Sequence, residues 1–303
     1  MKPICGDLRY VSGSRILSEA GLQKGDVDAI IGCPPCQGFS SLGRTKHVEG
    51  SRDRRNSLVQ VFVDRIKEIR PRVVIFENVP GMMKGPHRRY YSLLIRQLTD
   101  LRYNCSSEMI QASDFGVPQR RKRVIVIAVE EGLATDAPLP IPTGYKSGPR
   151  FVKDAIKDLP PLQSGETHPN VPLHAASEHS DKVLEFIRRI PKNGGSWTDI
   201  PRRFWLPCHK RLNGDGAESV YGRMCWDEHS PTITTHCNVP SSGRFVHPEQ
   251  DRGITLREAA RLQTIPDDFS LRGKASDLAV WIGNGMPTRM AESIGVRVAD
   301  LFN

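Results

Sequence analysis

No apolar run in the chain approaches the roughly 18 residues needed to cross a bilayer. Nor does the opening stretch from Met1 to Gly13 hold an apolar core of about 7–15 residues such as a secretion signal carries. An intracellular, cytoplasmic chain is expected on both counts. Cysteine is sparse. The seven cysteines, at 5, 33, 36, 105, 208, 225 and 237, are odd in number and scattered, which argues against a disulfide framework and agrees with a reducing compartment. No second C-x-x-C accompanies Cys33-Pro34-Pro35-Cys36, and the dyads Cys208-His209 and His236-Cys237 lack ligand spacing, so no metal is expected. Internal repeats and long low-complexity tracts are also missing.

What remains is a globular composition. Hydrophobic residues make up 38% and charged residues 25%, with 26 Gly and 23 Pro, which disfavours collagen-like, disordered and coiled-coil chains. The 303 residues give length for two domains at about 100–200 residues each. Forty-three Lys and Arg against 34 Asp and Glu leave a net charge of +9. The excess is clustered at Arg52, Arg54 and Arg55, at His87 to Arg89, at Arg120 to Arg123, at Arg202 and Arg203, and at Lys210 and Arg211. Such clusters suit a polyanion partner, and equally a solvated basic face.

The first 130 residues alternate between strand-like and helix-like segments. Val27 to Ile31 is short and β-branched and runs into Gly32-Cys33-Pro34-Pro35-Cys36, which must leave the strand. Leu58, Phe62, Ile66 and Ile69 form one helical stripe that ends before Pro71. Arg72 to Phe76 is nearly continuous in apolar residues, as in a parallel sheet covered on both faces, and stops at Glu77-Asn78-Val79. A second helix follows through Tyr91, Leu94, Ile95, Leu98 and Leu101, and Val124 to Ala128 reads as another buried strand. The pattern predicts an α/β fold built of βαβ units. A proline-rich boundary at Ala137 to Pro142 opens an irregular region with one short helix near Val183 to Ile190. Regular order returns at Thr255-Leu256-Arg257-Glu258, a capping-box pattern, and a last helix carries Met290, Ile294, Val298 and Leu301.

Ligands of open α/β sheets gather at the carboxyl ends of the strands. Cys36 lies four residues past Gly32 and Glu77 ends the next strand, so parallel neighbours would bring them to one rim. A thiol there is a candidate nucleophile once its pKa falls from about 8.5 toward neutrality. Redox, metal and inert readings of the thiol stand beside that one. A carboxyl at the same rim could serve as an acid or as partner to a nitrogen heterocycle.

The ordered set of Gly32-Cys33-Pro34-Pro35-Cys36-Gln37-Gly38-Phe39-Ser40, Phe76-Glu77-Asn78-Val79, Gln119-Arg120-Arg121-Lys122-Arg123 and Gly283-Asn284-Gly285 resembles the DNA cytosine-5 methyltransferases. The blocks at 220–224, 230–235, 243–248 and 257–263 extend the resemblance over nearly the whole chain except about 145–215. It implies a Rossmann-like core dependent on S-adenosylmethionine, with a smaller irregular target-recognition domain. The expected division is 1–144 for the core, 145–249 for target recognition, and 250–303 returning to the core. Cys36 matches the nucleophile that adds to cytosine C6, and Glu77 matches the carboxyl that contacts N3 and the exocyclic amine. Arg121 and Arg123 match the arginines that hold the base and order the catalytic groups. Asp7, Leu8, Pro35, Leu58 and Asn284 match cofactor positions. Double-stranded DNA is the implied partner at the nucleoid, with Gln37, Ser40, Arg44, Gln119, Arg202, Arg203, Lys210 and Arg211 as expected contacts. The segment from Gln37 to Arg55 matches the family's closing loop.

Two departures bear on function. The family's first strand and its F-x-G-x-G loop do not occur, the chain opening instead at Ile4-Cys5-Gly6-Asp7-Leu8. A truncated gene start, a second polypeptide supplying that loop, or a degenerate copy each accounts for this. Met286-Pro287-Thr288-Arg289 also replaces the usual V-P-P. The runner-up reading is a DNA-binding subunit that does no chemistry. Transfer RNA as substrate lacks its Cys-Phe-Thr element here, and a redox role for Cys33 and Cys36 leaves Glu77 and the arginine run unexplained.

Overall fold

The computed structural model describes residues 3–34, 57–134, 136–140, 142, 150–211 and 218–303. The chain divides into two compact units, one of residues 1–110, 122–141 and 294–303, the other of residues 111–121 and 142–293.

Unit 1 is built on strands β1 (Ala29–Gly32), β2 (Val73–Asn78), β3 (Tyr103–Gln111) and β4 (Lys122–Glu130), which form a sheet of order β1-β2-β4-β3. Strands β1 and β2 are parallel, with Gly32 level with Phe76. Both therefore end at one rim, as the sequence predicts. Strand β4 runs antiparallel to β2. The sheet is thus mixed, with β1, α2 and β2 forming the expected βαβ unit and β4 running against it. Burial on both faces makes an antiparallel strand as continuously apolar as a parallel one, so composition does not reveal direction.

One face of the sheet carries Val74 and Phe76 of β2 with Val124, Val126 and Ala128 of β4. They pack against Phe62 and Ile66 of helix α2 (Leu58–Ile69) and Leu94 and Leu98 of helix α3 (Arg88–Asp100). Gly32 closes this layer. A side chain at that position would strike the ring of Phe62, so only glycine lets β1 lie against α2. Helix α1 (Gly13–Ala20) starts with the Ser12 hydroxyl accepting from the Arg15 amide and ends at Gly21, whose positive φ of 68° suits glycine.

Unit 2 has little regular structure. It holds helices α4 (Val152–Ile156), α5 (Asp181–Arg189), α6 (Pro207–Lys210), α7 (Leu256–Leu262) and α8 (Ala275–Asn284), and helix α9 (Thr288–Ala299) begins within it. Helix α7 begins as its sequence pattern predicts. The Glu258 amide donates to the Thr255 hydroxyl at 3.2 Å and the Thr255 amide to the Glu258 carboxylate at 2.7 Å. The core of unit 2 gathers Met224, Ile233, Phe245, Ile254, Leu262 and Ile282. Buried guanidiniums do much of the remaining tying. Arg223, fully buried, donates to the carbonyls of Ile187, Ile190, His247 and Gln250 and to the Asp251 carboxylate. Among the described residues no helix is long and apolar enough to cross a membrane.

Candidate active site

In unit 1 the strand register decides which groups meet. Glu77 pairs with Ile125 across β2 and β4, so the two side chains share a face. Arg123 lies two residues from Ile125 and therefore points to that face as well. The result is an ion pair of 2.6 Å between Arg123 Nε and Glu77 Oε1, its two side chains only 13% and 11% exposed. Arg123 also donates to the Lys122 carbonyl at 2.7 Å, which limits its swing. A carboxylate fixed this way is oriented in advance, and its free lone pairs remain available to a ligand.

Asn78, next in the strand, is 1% exposed and must satisfy its amide internally. Its Nδ2 donates to the Pro34 carbonyl at 3.2 Å, and its Oδ1 accepts from the Val79 amide at 2.9 Å. This residue ties the exit of β1 to the exit of β2. The Glu-Asn-Val tripeptide held the signal, because a buried asparagine at a strand end needs a partner on the next strand. Cys33 is exposed at that exit. Cys36 and Pro35, with Gln37, Ser40, Arg44 and the rest of the expected closing loop, lie outside the described residues.

In unit 2 the segment before β4 is buried except at Arg120. Arg121, 2% exposed, donates through one terminal nitrogen to the carbonyls of Ile233 and Gly283, each at 3.1 Å. Gln119, expected at the DNA surface, is placed in the interior at 0% exposure. Its Nε2 donates to the Leu262 carbonyl and to Gln263 Oε1, while its Oε1 accepts from the Ile233 amide. Gln263 passes the connection on, donating to the carbonyls of Ile282 at 2.5 Å and Gly285 at 3.1 Å. The Gly283-Asn284-Gly285 turn is thereby braced from two sides. Gly283 lies directly on the Thr234–Thr235 peptide, where no Cβ could fit. Asn284, the last residue of α8, is exposed. These two buried amides were legible as motif letters, but their burial was not.

The remaining expected cofactor positions lie in unit 1. Leu8 and Leu58 are half-buried, Leu58 at the first turn of α2. Asp7 is exposed and receives Arg9 through its backbone amide, Nε and a terminal nitrogen. Hydrogen bonds from the Arg9 side chain and then its amide pull the Asp7 carboxyl down to about 2. The expected contacts Arg202, Arg203, Lys210 and Arg211 are all exposed in unit 2.

The family model for C-5 cytosine-specific DNA methylases matches residues 2–299 of this chain. The Type II methylase M.HgiDII of Herpetosiphon aurantiacus is 37% identical over 270 residues, spanning 88% of this chain and 74% of its own. The Type II methyltransferase M1.HphI of Haemophilus parahaemolyticus is 33% identical over 292 residues, spanning 96% and 73%. Among solved structures, a prophage-encoded E. coli chain described as a DNA modification methyltransferase superposes with a TM-score of 0.72 at 23% identity. That match covers 98% of this chain and 85% of the other, and bears on the fold.

Proposed function

Because the chain belongs to the C-5 cytosine-specific DNA methylase family, we propose that it methylates C5 of a cytosine swung out of duplex DNA at the nucleoid. The observation that carries this reading is the Glu77–Arg123 pair at the shared exit of β1 and β2, with Asn78 holding Pro34 beside it. Cys36, two residues after Pro34 in sequence, matches the family's nucleophile by motif position. Cytosine C5 is a weak nucleophile, and a stacked base is out of reach, which is why flipping and activation are both needed.

In the proposed sequence the Cys36 thiolate forms a bond to C6. Glu77 hydrogen-bonds N3 and the exocyclic amine and balances the charge that develops there. Arg123 keeps that carboxylate in place, and Arg121 acts at one remove by fixing the segment that leads into β4. C5 then takes the methyl carbon. Loss of the C5 proton to base and breakage of the C6–sulfur bond restore the aromatic ring and the thiolate.

S-adenosylmethionine, the family's methyl donor, supplies an electrophilic methyl on a sulfonium that departs as a neutral thioether. The residues at its expected positions fit such a molecule. Asp7 is an ionised, exposed carboxylate, and an adenine amine would share its oxygens with Arg9. Leu8 and Leu58 offer apolar surface, with Asn284 and Pro35 assigned by motif position alone. A second polypeptide bearing a glycine-rich loop is part of the proposal. Ile31 of β1, 66% exposed, is an aliphatic side chain that such a companion would cover.

The test is methyl transfer to duplex DNA, with the chain alone and with such a companion, beside covalent trapping on 5-fluorocytosine duplex. Fluorine at C5 cannot leave as the proton does, so a thiolate adduct persists. Cys36→Ser should abolish transfer and trapping together, and Glu77→Gln should slow transfer by about 10²–10⁴-fold. Transfer that survives Cys36→Ser would overturn the assignment.

A further inference from the structure

Helix α6 is seated on unit 2 by packing and not by backbone pairing. Among the described residues, the backbone of Leu206 to Arg211 hydrogen-bonds only within itself, His209 and Lys210 donating to the Leu206 carbonyl at 3.0 and 3.1 Å. Pro207, Cys208, Lys210 and Arg211 are exposed and Leu206 is half-buried. His209, at 1% exposure, is the one buried residue of the turn. Its ring stacks on Trp197 at 4.5 Å and 7°, lies 5.3 Å from that of Phe186 and meets Tyr221 nearly perpendicular at 5.7 Å and 81°.

Neither ring nitrogen of His209 has a hydrogen-bond partner among the described residues, and both are sealed from solvent. A neutral imidazole tolerates such a site, since it carries no net charge and its N–H can rest against an aromatic face. An imidazolium does not. It has two donors and a charge to solvate, and attraction to the Trp197 face does not replace the hydration it loses. The neighbouring elements offer it no counter-charge. Helix α5 brings Lys182 and Arg189, the turn before α6 brings Arg202 and Arg203, and α6 itself Lys210. Their acids are spent or outside. Glu185 pairs with Arg189 at 2.5 Å, Asp199 beside Trp197 accepts from the Ser196 amide at 2.7 Å, and Glu218 is exposed. Burial raises the Tyr221 phenol, which stays neutral, and pushes His209 below the ordinary imidazole value.

We propose that His209 is an acid-released latch, its neutral ring seating α6 in the aromatic cluster and its protonated ring leaving the cluster and freeing the turn from Leu206 to Arg211. The open turn exposes an ordinary imidazole that titrates near about 6.5, whereas the closed turn takes up the proton only at lower pH. Closure is therefore at full strength above about 6.5 and weakens as pH falls. For one proton the ratio of open to closed turn rises by up to about tenfold per pH unit. The opening is local, because no backbone bond ties the turn to the rest of unit 2.

The experiment is hydrogen exchange of the full chain, read residue by residue at about pH 7.5 and about pH 5.5 and corrected for the intrinsic rate. Protection of the His209 and Lys210 amides should fall about tenfold between the two, while β2 and β4 keep theirs. His209→Phe keeps a ring in the stack and removes the titration. It should match or exceed wild-type protection at about pH 7.5, because no buried nitrogen is left without a partner, and should show no fall at about pH 5.5. An equal fall in the variant, or none in the wild type, overturns the latch. Titration of the wild-type imidazole by nuclear magnetic resonance gives a check that needs no variant. His209 should titrate below about 6.5, and a value at or above that overturns the proposal.

Discussion

In unit 1 the ladder of β1, β2 and β4 satisfies the backbone, and an apolar layer of α2 and α3 seals one face of it. In unit 2 the same work falls to buried side chains that carry charge or amides. Arg223 serves four carbonyls and a carboxylate, and Arg252 grips Glu258 through two bonds of 2.8 and 2.9 Å. Gln119 and Gln263 do the same for the turn at Gly283. A region with little regular structure must still pair its buried polar backbone, and guanidiniums with five donors each can do so across irregular loops. The difference teaches that arginine in this chain has two separate employments. Exposed ones such as Arg102 and Arg120 pair with surface carboxylates, and buried ones replace a sheet.

Four substitutions or conditions would break or sharpen that contrast. Arg223→Leu should destabilise unit 2 by about 3–5 kcal/mol, since it leaves four carbonyls without their donor and takes from Asp251 one of its cationic partners. Hydrogen exchange read peptide by peptide should show loss of protection at 187–190 and 247–251. Equal loss across β2 and β4 would mean that the units do not differ as described. In unit 1 the matching change is Phe76→Ala, which leaves a cavity against Phe62 and should cost about 3–4 kcal/mol. Here protection should fall in β2, β4 and α2.

Acid provides the third probe. Burial pushes His247 down to about 4, against the pull of Glu258, with Arg252, Arg223 and His174 adding to the depression. The folded state thus binds fewer protons than the unfolded one, whose imidazole titrates near about 6.5. Stability from this group is full above that value and drains as pH falls toward 4, by about 3 kcal/mol in all. Glu258 adds to the same trend. Burial raises its carboxyl, but hydrogen bonds and charge from Arg252 outweigh that and leave it lowered. His247→Gln should flatten the pH dependence of thermal unfolding between about 6.5 and 4. The smallest effect is expected from Thr255→Ala, about 1 kcal/mol, through loss of the α7 cap. Fraying confined to the first turn of α7 in exchange data would check it.

Much of unit 1 was legible in the sequence because its helices and strands repeat at fixed periods. Helices α2 and α3 and strands β1, β2 and β4 fall where the apolar stripes and runs place them. Strand β3 was not legible, since Tyr103 to Gln111 alternates little and is mostly half-buried. The cluster from Arg120 to Arg123 shows the same limit for the site. In sequence it is one basic patch. In the structure Arg120 is 60% exposed and pairs with Glu228, Arg121 is buried and Arg123 turns to Glu77, because successive side chains along an extended segment face opposite ways. The motif letters located the candidate site, but only the fold reveals which of them face a ligand and which hold up the ones that do.

The contact of Gly283 with the Thr234–Thr235 peptide, and the amide chain from Ile233 through Gln119 and Gln263 to Gly285, has a practical consequence for engineering. Relatives of this chain invite the exchange of specificity segments to make hybrids. A graft whose junctions fall before Ser230 inherits that seam intact. One spliced between Thr235 and Ile282 joins two halves that never coevolved across it, and its failure would say nothing about the specificity being transplanted.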